Sequence, residues 1–174
     1  MNEACTLIIF GATGNLAKLK LLPALYQLES ADLLPRELRI VCSGRTEHSQ
    51  EAWLAELRKI LAQHARDPLT TAASETFCNR MHYFQGDLAE PQTCQRLAGL
   101  LGEPQFPDNQ VFSVSLPPST YGGVIESLAK QRMLEERAAW RRVVIEKPFG
   151  AGLESAQELH RRISRHLRED QTYR

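Results

Sequence analysis

The sequence predicts an α/β protein with a doubly wound, mostly parallel sheet and helices on both faces. Three observations carry this. Short apolar runs rich in β-branched residues recur along the chain, longer helical patterns separate them, and a glycine-bearing turn joins the first run to the first helix. Five such runs alternate with helices over 174 residues. There is no linker, repeat or low-complexity segment, so one domain spanning residues 1–174 is expected.

The elements follow in order. Thr6 to Phe10 is a buried-strand run ended by Gly11. Leu16 to Leu28 reads as helical, with Leu21, Leu25 and Leu28 on one side; Pro23 within it predicts a kink or a fresh helical start. Leu38 to Ser43 is the second strand. Ser49 to Ala65 is a helix capped by Ser49, with Trp53, Leu57, Ile60, Leu61 and His64 on one face. Residues 67–74 read as a small-residue loop or short turn. Arg80 to Gln85 is the third strand, Pro91 to Leu101 a helix, and Val111 to Leu116 the fourth strand, closed by Pro117 and Pro118. Ser119 opens a helix running to about Gln131. Arg142 to Glu146 is the fifth strand, and Leu153 to Leu167 a final helix striped by Leu159, Ile163 and Leu167.

Composition narrows the function classes. Lys+Arg and Asp+Glu are both 21, giving zero formal net charge, which argues against a nucleic-acid binder. No apolar run is long enough to span a membrane, and the first residues lack the pattern of a signal peptide; the reading is cytoplasmic. Cys5, Cys42, Cys78 and Cys94 form no CxxC pair and read as reduced thiols. The histidines are scattered, and His160 and His166 are six apart, the wrong spacing for two ligands on one helical face. No metal site is expected.

The first strand-turn-helix carries the chemistry. Gly11-Ala12-Thr13-Gly14-Asn15-Leu16-Ala17 is a G-x-x-G-x-x-A pattern, a relative of the dinucleotide fingerprint. Gly11 permits a tight turn off the strand, and Gly14 lets backbone approach a pyrophosphate that faces helix N–H groups. Ala17 allows close packing of helix on sheet. The turn heads a βαβ series, where a Rossmann-type fold puts its phosphate loop.

At the end of the second strand, NAD enzymes usually carry an acid for the ribose 2′-hydroxyl. Here the run is Ser43-Gly44-Arg45-Thr46, with no acid until Glu47. Arg45 offers a planar cation suited to a 2′-phosphate, and Ser43 and Thr46 add hydroxyl donors. NADP is therefore the expected cofactor. Asp87 and Leu88 follow the third strand and would line the adenine pocket. Tyr121, after the Pro117-Pro118 turn, would lie on the nicotinamide side or pack as a helix residue. Lys147 follows the fifth strand, where it would meet phosphate, sugar hydroxyls or a structural acid; Pro148 after it allows a cis peptide.

Taken together these residues resemble the glucose-6-phosphate dehydrogenase family. The matching stretches are Gly11 to Lys20 with Leu22 to Tyr26, Leu116 to Tyr121, Val143 to Gly150, and Gln171 to Arg174. The resemblance implies oxidation of C1 of glucose 6-phosphate to the 6-phospho lactone, with hydride passed to NADP⁺. It implies that Gly11 to Ala17 hold the pyrophosphate and Arg45 the 2′-phosphate. Lys20 would lie near the reacting end, Tyr121 near the nicotinamide, and Lys147 against substrate and cofactor, preceding a cis proline. Asn15 stands where the family usually has Asp, and is expected still to cap the helix.

In the family, the arginine matching Arg174 precedes an Ile-Asp-His-Tyr-Leu-Gly-Lys-Glu stretch that binds substrate phosphate, and the general-base histidine comes later, in an α+β domain that also makes the oligomer. These 174 residues contain neither. No catalytic residue is assigned, and the chain is expected to bind NADP with little or no turnover. The alternative is a stand-alone NADP-binding or sensor module. A short-chain or epimerase-type oxidoreductase is disfavoured because no Tyr-x-x-x-Lys pair is present.

Overall fold

The computed structural model describes residues 3–66, 68–147 and 152–173. Six parallel strands form one sheet: β1 (Cys5–Phe10), β2 (Leu38–Gly44), β3 (Met81–Gln85), β4 (Gln110–Val114), β5 (Arg141–Ile145) and β6 (Thr172–Tyr173). Their order is β3-β2-β1-β4-β5-β6. β1 pairs with β2 on one side and β4 on the other, so the winding reverses between β1 and β4. A crevice opens at such a reversal, beyond the carboxyl ends of the strands.

The helices are α1 (Leu22–Ser30), α2 (Gln50–His64), α3 (Thr71–Asn79), α4 (Pro91–Leu101), α5 (Tyr121–Lys130) and α6 (Leu153–Ser164). Alternation along the strands makes two cores. On one face Ile8, Phe10, Phe112, Val114 and Val143 meet Leu97 of α4, Ile125 and Leu128 of α5 and Ile163 of α6. On the other, Ile9, Ile40, Cys42 and Tyr83 meet Tyr26 of α1, Trp53, Leu57 and Leu61 of α2, and Phe77 of α3. Central strands buried on both sides explain their near-continuous apolar runs.

Several boundaries differ from the sequence reading. Ala17–Leu21 is a π-helical turn that runs without a break into α1 at Leu22, and Pro23 follows Leu22 directly, so the irregularity in the ladder falls beside the proline. Leu25 is buried but Leu28 is 40% exposed. Asn15 makes no side-chain cap; the helix is opened by backbone, with Lys18 N–H donating to the Gly14 carbonyl at 3.0 Å. Ser49 does cap α2, accepting from Ala52 N–H at 3.1 Å. His64 is exposed, leaving Trp53, Leu57, Ile60 and Leu61 as the buried face.

α3 begins within residues 67–74, the stretch read as a loop or short turn, and runs on to Asn79. Thr70 caps it, accepting from Ala73 N–H at 3.3 Å, and Thr70 N–H donates to the Tyr26 hydroxyl at 3.2 Å. Phe77 then meets the Tyr26 ring edge-on at 5.7 Å. A sixth strand, β6, adds to the five expected and pairs with β5. β4 ends at Val114 and β5 at Ile145, so Leu116 and Glu146 lie past their strands. α6 ends at Ser164, and Leu167, beyond it, is still buried.

Candidate functional site

A cleft of about 730 Å³ lies at the carboxyl ends of β1, β2, β3 and β4. Its floor is the turn after β1. Gly11 has φ +78°, and a Cβ there would stand 2.3 Å from the Ser115 carbonyl oxygen, so only glycine fits on both counts. The Gly11 and Ala12 N–H groups both donate to the Ser43 carbonyl at 3.0 Å, and Gly14 N–H donates to the Gly11 carbonyl at 2.9 Å. The turn is thereby fastened to the end of β2 while Gly11, Thr13 and Gly14 line the cleft.

One wall comes from the ends of β2 and β3. Ser43, Gly44 and Arg45 line it, followed by Gly86, Asp87 and Leu88. Arg45 is exposed and enters none of the ion pairs among the described residues. Asp87 shapes its own turn, its carboxylate accepting from Ala89 N–H at 3.0 Å. The opposite wall is Ser115, Leu116 and Pro117 after β4, with Glu126, Ser127 and Lys130 of α5. Ser115 Oγ is buried without a hydrogen-bond partner. Ser115 thus lines the cleft as a residue while its hydroxyl is turned away from solvent.

The structure brings Gly11, Thr13, Gly14, Ser43, Arg45, Asp87 and Leu88 to this cleft. Ala12 and Ala17 are buried behind the turn, while Asn15 and Leu16 are exposed. Thr46 is exposed, its carbonyl taken by the Tyr83 hydroxyl at 2.5 Å. Tyr121 is not at the cleft surface: it is 2% exposed, and its hydroxyl donates to the Glu146 carbonyl at 3.2 Å. Packing of the α5 start against the end of β5 accounts for this. Lys20 and Lys147 are exposed and do not line the cleft. The Lys-Pro peptide, residues 148–150 and Arg174 fall outside the described residues.

Ser115 and the α5 residues were not singled out from sequence. Ser115 sits between an apolar run and two prolines, and nothing in that pattern marks its hydroxyl as unpaired. No histidine lines the cleft, and among the described residues no group of three His, Cys, Asp or Glu side chains could hold a metal ion. Cys42, Cys78 and Cys94 are buried thiols, and burial pushes Cys42 up to about 12. Among the described residues no helix is long and apolar enough to cross a membrane.

The strand order, the glycine turn that admits no Cβ and the cleft at the switch point define a dinucleotide-binding domain of the Rossmann type. The chain belongs to the family described as "Glucose-6-phosphate dehydrogenase, NAD binding domain", whose model matches residues 8–174. Among curated relatives it is 39% identical over 173 residues to glucose-6-phosphate 1-dehydrogenase of Treponema pallidum (strain Nichols), covering 97% of this chain and 34% of the relative. It is 36% identical to that of Dickeya dadantii (strain 3937), covering 99% and 34%. Among solved structures, glucose-6-phosphate 1-dehydrogenase from Mycobacterium avium superposes with a TM-score of 0.86 at 31% identity, covering 97% of this chain and 35% of that one. A glucose-6-phosphate dehydrogenase solved in complex with its substrate glucose-6-phosphate superposes at 0.82 and 27% identity, covering 98% and 36%. The chain thus spans about a third of the length of these relatives.

Proposed function

We propose that this chain binds NADP⁺ as the cofactor domain of an enzyme that oxidises glucose 6-phosphate at C1 to the 6-phospho lactone. The observation that carries the reading is the pairing, in one cleft, of the Gly11 turn with the unpaired guanidinium of Arg45 at the end of β2. The residues fit the group. Gly11 and Gly14 would let the backbone come close to the pyrophosphate at the start of the helix, with Thr13 beside them; the Gly11 and Gly14 N–H groups are themselves bonded to the Ser43 and Gly11 carbonyls. Arg45, with Ser43 and Thr46, would hold the 2′-phosphate by charge-assisted hydrogen bonds. Asp87 and Leu88 would flank the adenine, and Ser115, Leu116 and Pro117 would wall the β4 side.

Bound in this cleft, NADP⁺ would supply the hydride acceptor for the sugar C1. The chain's own contribution is to orient the cofactor and to cover one side of it. Lys20 and Lys147 are the cations proposed to meet the phosphorylated sugar. No histidine lines the cleft among the described residues, and its carboxylates are engaged, Asp87 in its own turn and Glu126 with Arg162, so none is assigned the C1 hydroxyl proton. The proton acceptor is proposed to lie outside these 174 residues. Assembly into an oligomer is likewise assigned to chain outside them.

Titration calorimetry of the chain with NADP⁺ and with NAD⁺ at one salt concentration tests the reading. Saturable binding that favours NADP⁺ is expected, and Arg45→Ala should weaken it roughly tenfold to a hundredfold, the worth of a charge-assisted bond. Equal affinity for both dinucleotides, unchanged in the variant, would sink the assignment of Arg45.

A further inference from the structure

Arg45 sits on a short segment whose own sequence does little to fix it, and the residue that grips that segment comes from the neighbouring strand. Tyr83 of β3 stands opposite Cys42 of β2. Its hydroxyl donates to the carbonyl of Thr46, the residue after Arg45, at 2.5 Å. The same hydroxyl closes over Gly44, the residue before Arg45. A Cβ on Gly44 would lie 2.9 Å from Tyr83 Oη and 2.9 Å from Thr13 Cγ2. Gly44 is therefore held between the phosphate turn and Tyr83, and Thr46 is tied to Tyr83 directly.

The ring itself is immobilised. It packs 4.9 Å from the Trp53 ring and meets His48 edge-on at 5.2 Å. Gln50 accepts from Tyr83 N–H at 2.9 Å and donates to the Met81 carbonyl at 2.8 Å, fixing this end of β3 to the start of α2. Core packing explains the ring. It does not require a hydroxyl that reaches past the strand to the carbonyl next to Arg45, which lines the cleft. Burial raises the phenol above its ordinary value, so it keeps the proton it donates.

We propose that Tyr83 is a positioning residue for dinucleotide selection, its hydroxyl fixing the Gly44–Thr46 backbone so that the Arg45 guanidinium is presented ready to the 2′-phosphate. This rests on the reading of Arg45 given above. Without the hydroxyl, the segment must be ordered when the 2′-phosphate binds, a cost that falls only on ligands using Arg45. NAD⁺ has no 2′-phosphate and escapes it.

The test is calorimetry of the chain as Tyr83→Phe, Arg45→Ala and the double variant, with NADP⁺ and NAD⁺. Tyr83→Phe keeps the ring against Trp53 and is expected to shift the thermal midpoint by only a few degrees. It should weaken NADP⁺ about three- to tenfold, the worth of one hydrogen bond, leave NAD⁺ within about twofold, and add nothing in the Arg45→Ala background. Equal weakening of both dinucleotides, or an undiminished effect without Arg45, would make Tyr83 a merely structural residue and overturn the proposal. If Arg45→Ala alone leaves NADP⁺ binding intact, the assignment of Arg45 fails first and takes this inference with it. If Arg45→Ala weakens NADP⁺ while Tyr83→Phe does not, only the role of Tyr83 falls.

Discussion

Gly122 on α5 lies directly under the guanidinium of Arg162 on α6: a Cβ on Gly122 would stand 2.4 Å from Arg162 Cζ. Arg162 Nε in turn donates to Glu126 at 2.8 Å, and Glu126 lines the cleft. Gly122→Ala should therefore leave stability within about 1 kcal/mol, because helix propensity gained offsets a half-exposed ion pair lost. It should also free a carboxylate at the rim of the cleft proposed to take the dinucleotide. Dinucleotide binding is expected to weaken a few-fold at low salt, with the effect shrinking as salt rises. A salt-independent change in calorimetric affinity would contradict this.

The glycine at the first turn makes a harsher demand. Gly11→Ala must hold a Cβ at φ +78° and 2.3 Å from a backbone oxygen that cannot swing away. The backbone term alone is worth about 1–3 kcal/mol, and relief requires moving Ser115 or the turn. The expected outcome is a loss of at least about 2 kcal/mol by urea unfolding together with loss of dinucleotide binding. An unchanged midpoint would show that the turn relaxes freely.

Arg80 brackets the connection between α1 and β2. Its Nη1 donates to the carbonyls of Pro35 at 2.8 Å, Arg36 at 2.8 Å and Leu38 at 3.2 Å. Its Nε stands 2.8 Å from Glu29 Oε2, an ion pair 10% and 8% exposed, though without the alignment of a hydrogen bond. Arg80→Ala strands both a buried carboxylate and three carbonyls, and should cost about 3–5 kcal/mol. Glu29→Gln leaves the carbonyl bracket intact and should cost less. Equal losses in chemical denaturation would place the energy in the ion pair instead.

Glu136 ties the segment before β5 to the segment before β6. Burial pushes its carboxyl up, but the Arg141 N–H at 2.8 Å and the guanidinium groups of Arg168 and Arg142 outweigh this and hold it at about 2. A carboxyl lowered on folding stabilises fully above its unfolded value, near 4.5, and that stability is lost as pH falls towards 2. Glu136→Gln should lower stability at neutral pH and flatten the decline between these limits. Parallel acid-unfolding curves for variant and parent would contradict the assignment.

Much of this was legible in the sequence because period and composition agreed. Trp53, Leu57, Ile60 and Leu61 recur at helical spacing, and Ser49 precedes them. Gly11 and Gly14 follow a strand-like run and open a helix. α3 was not legible: only Phe77 and Cys78 of its nine residues are buried, too few to show a period, and its place depends on Tyr26, 51 residues away from Phe77. β6 is two residues long and exists because β5 offers it an edge. Leu116 looked like strand because it is apolar, yet its surface faces the cleft. Tyr121 carried no signal of whether its hydroxyl met a ligand or a carbonyl; that depended on where β5 ended. Tyr83 gave no hint of reaching Thr46, since a tyrosine in a strand reads as core.

The π-helical turn at Ala17–Leu21 bears on how this chain can change length. Leu22 N–H reaches back five residues to the Ala17 carbonyl, so the turn holds one residue more than an α-helical path between the same ends. That residue is a stored insertion. Removing one position between Ala17 and Leu21 would leave Leu22–Ser30 in its rotation against the sheet, while drawing Pro23 into the interior of a continuous α-helix. A deletion anywhere within α1 would instead turn Leu25 and Tyr26 out of their seats by about 100°. The spot where losing a residue leaves α1 in register with the sheet is thus the one next to the Gly11 turn.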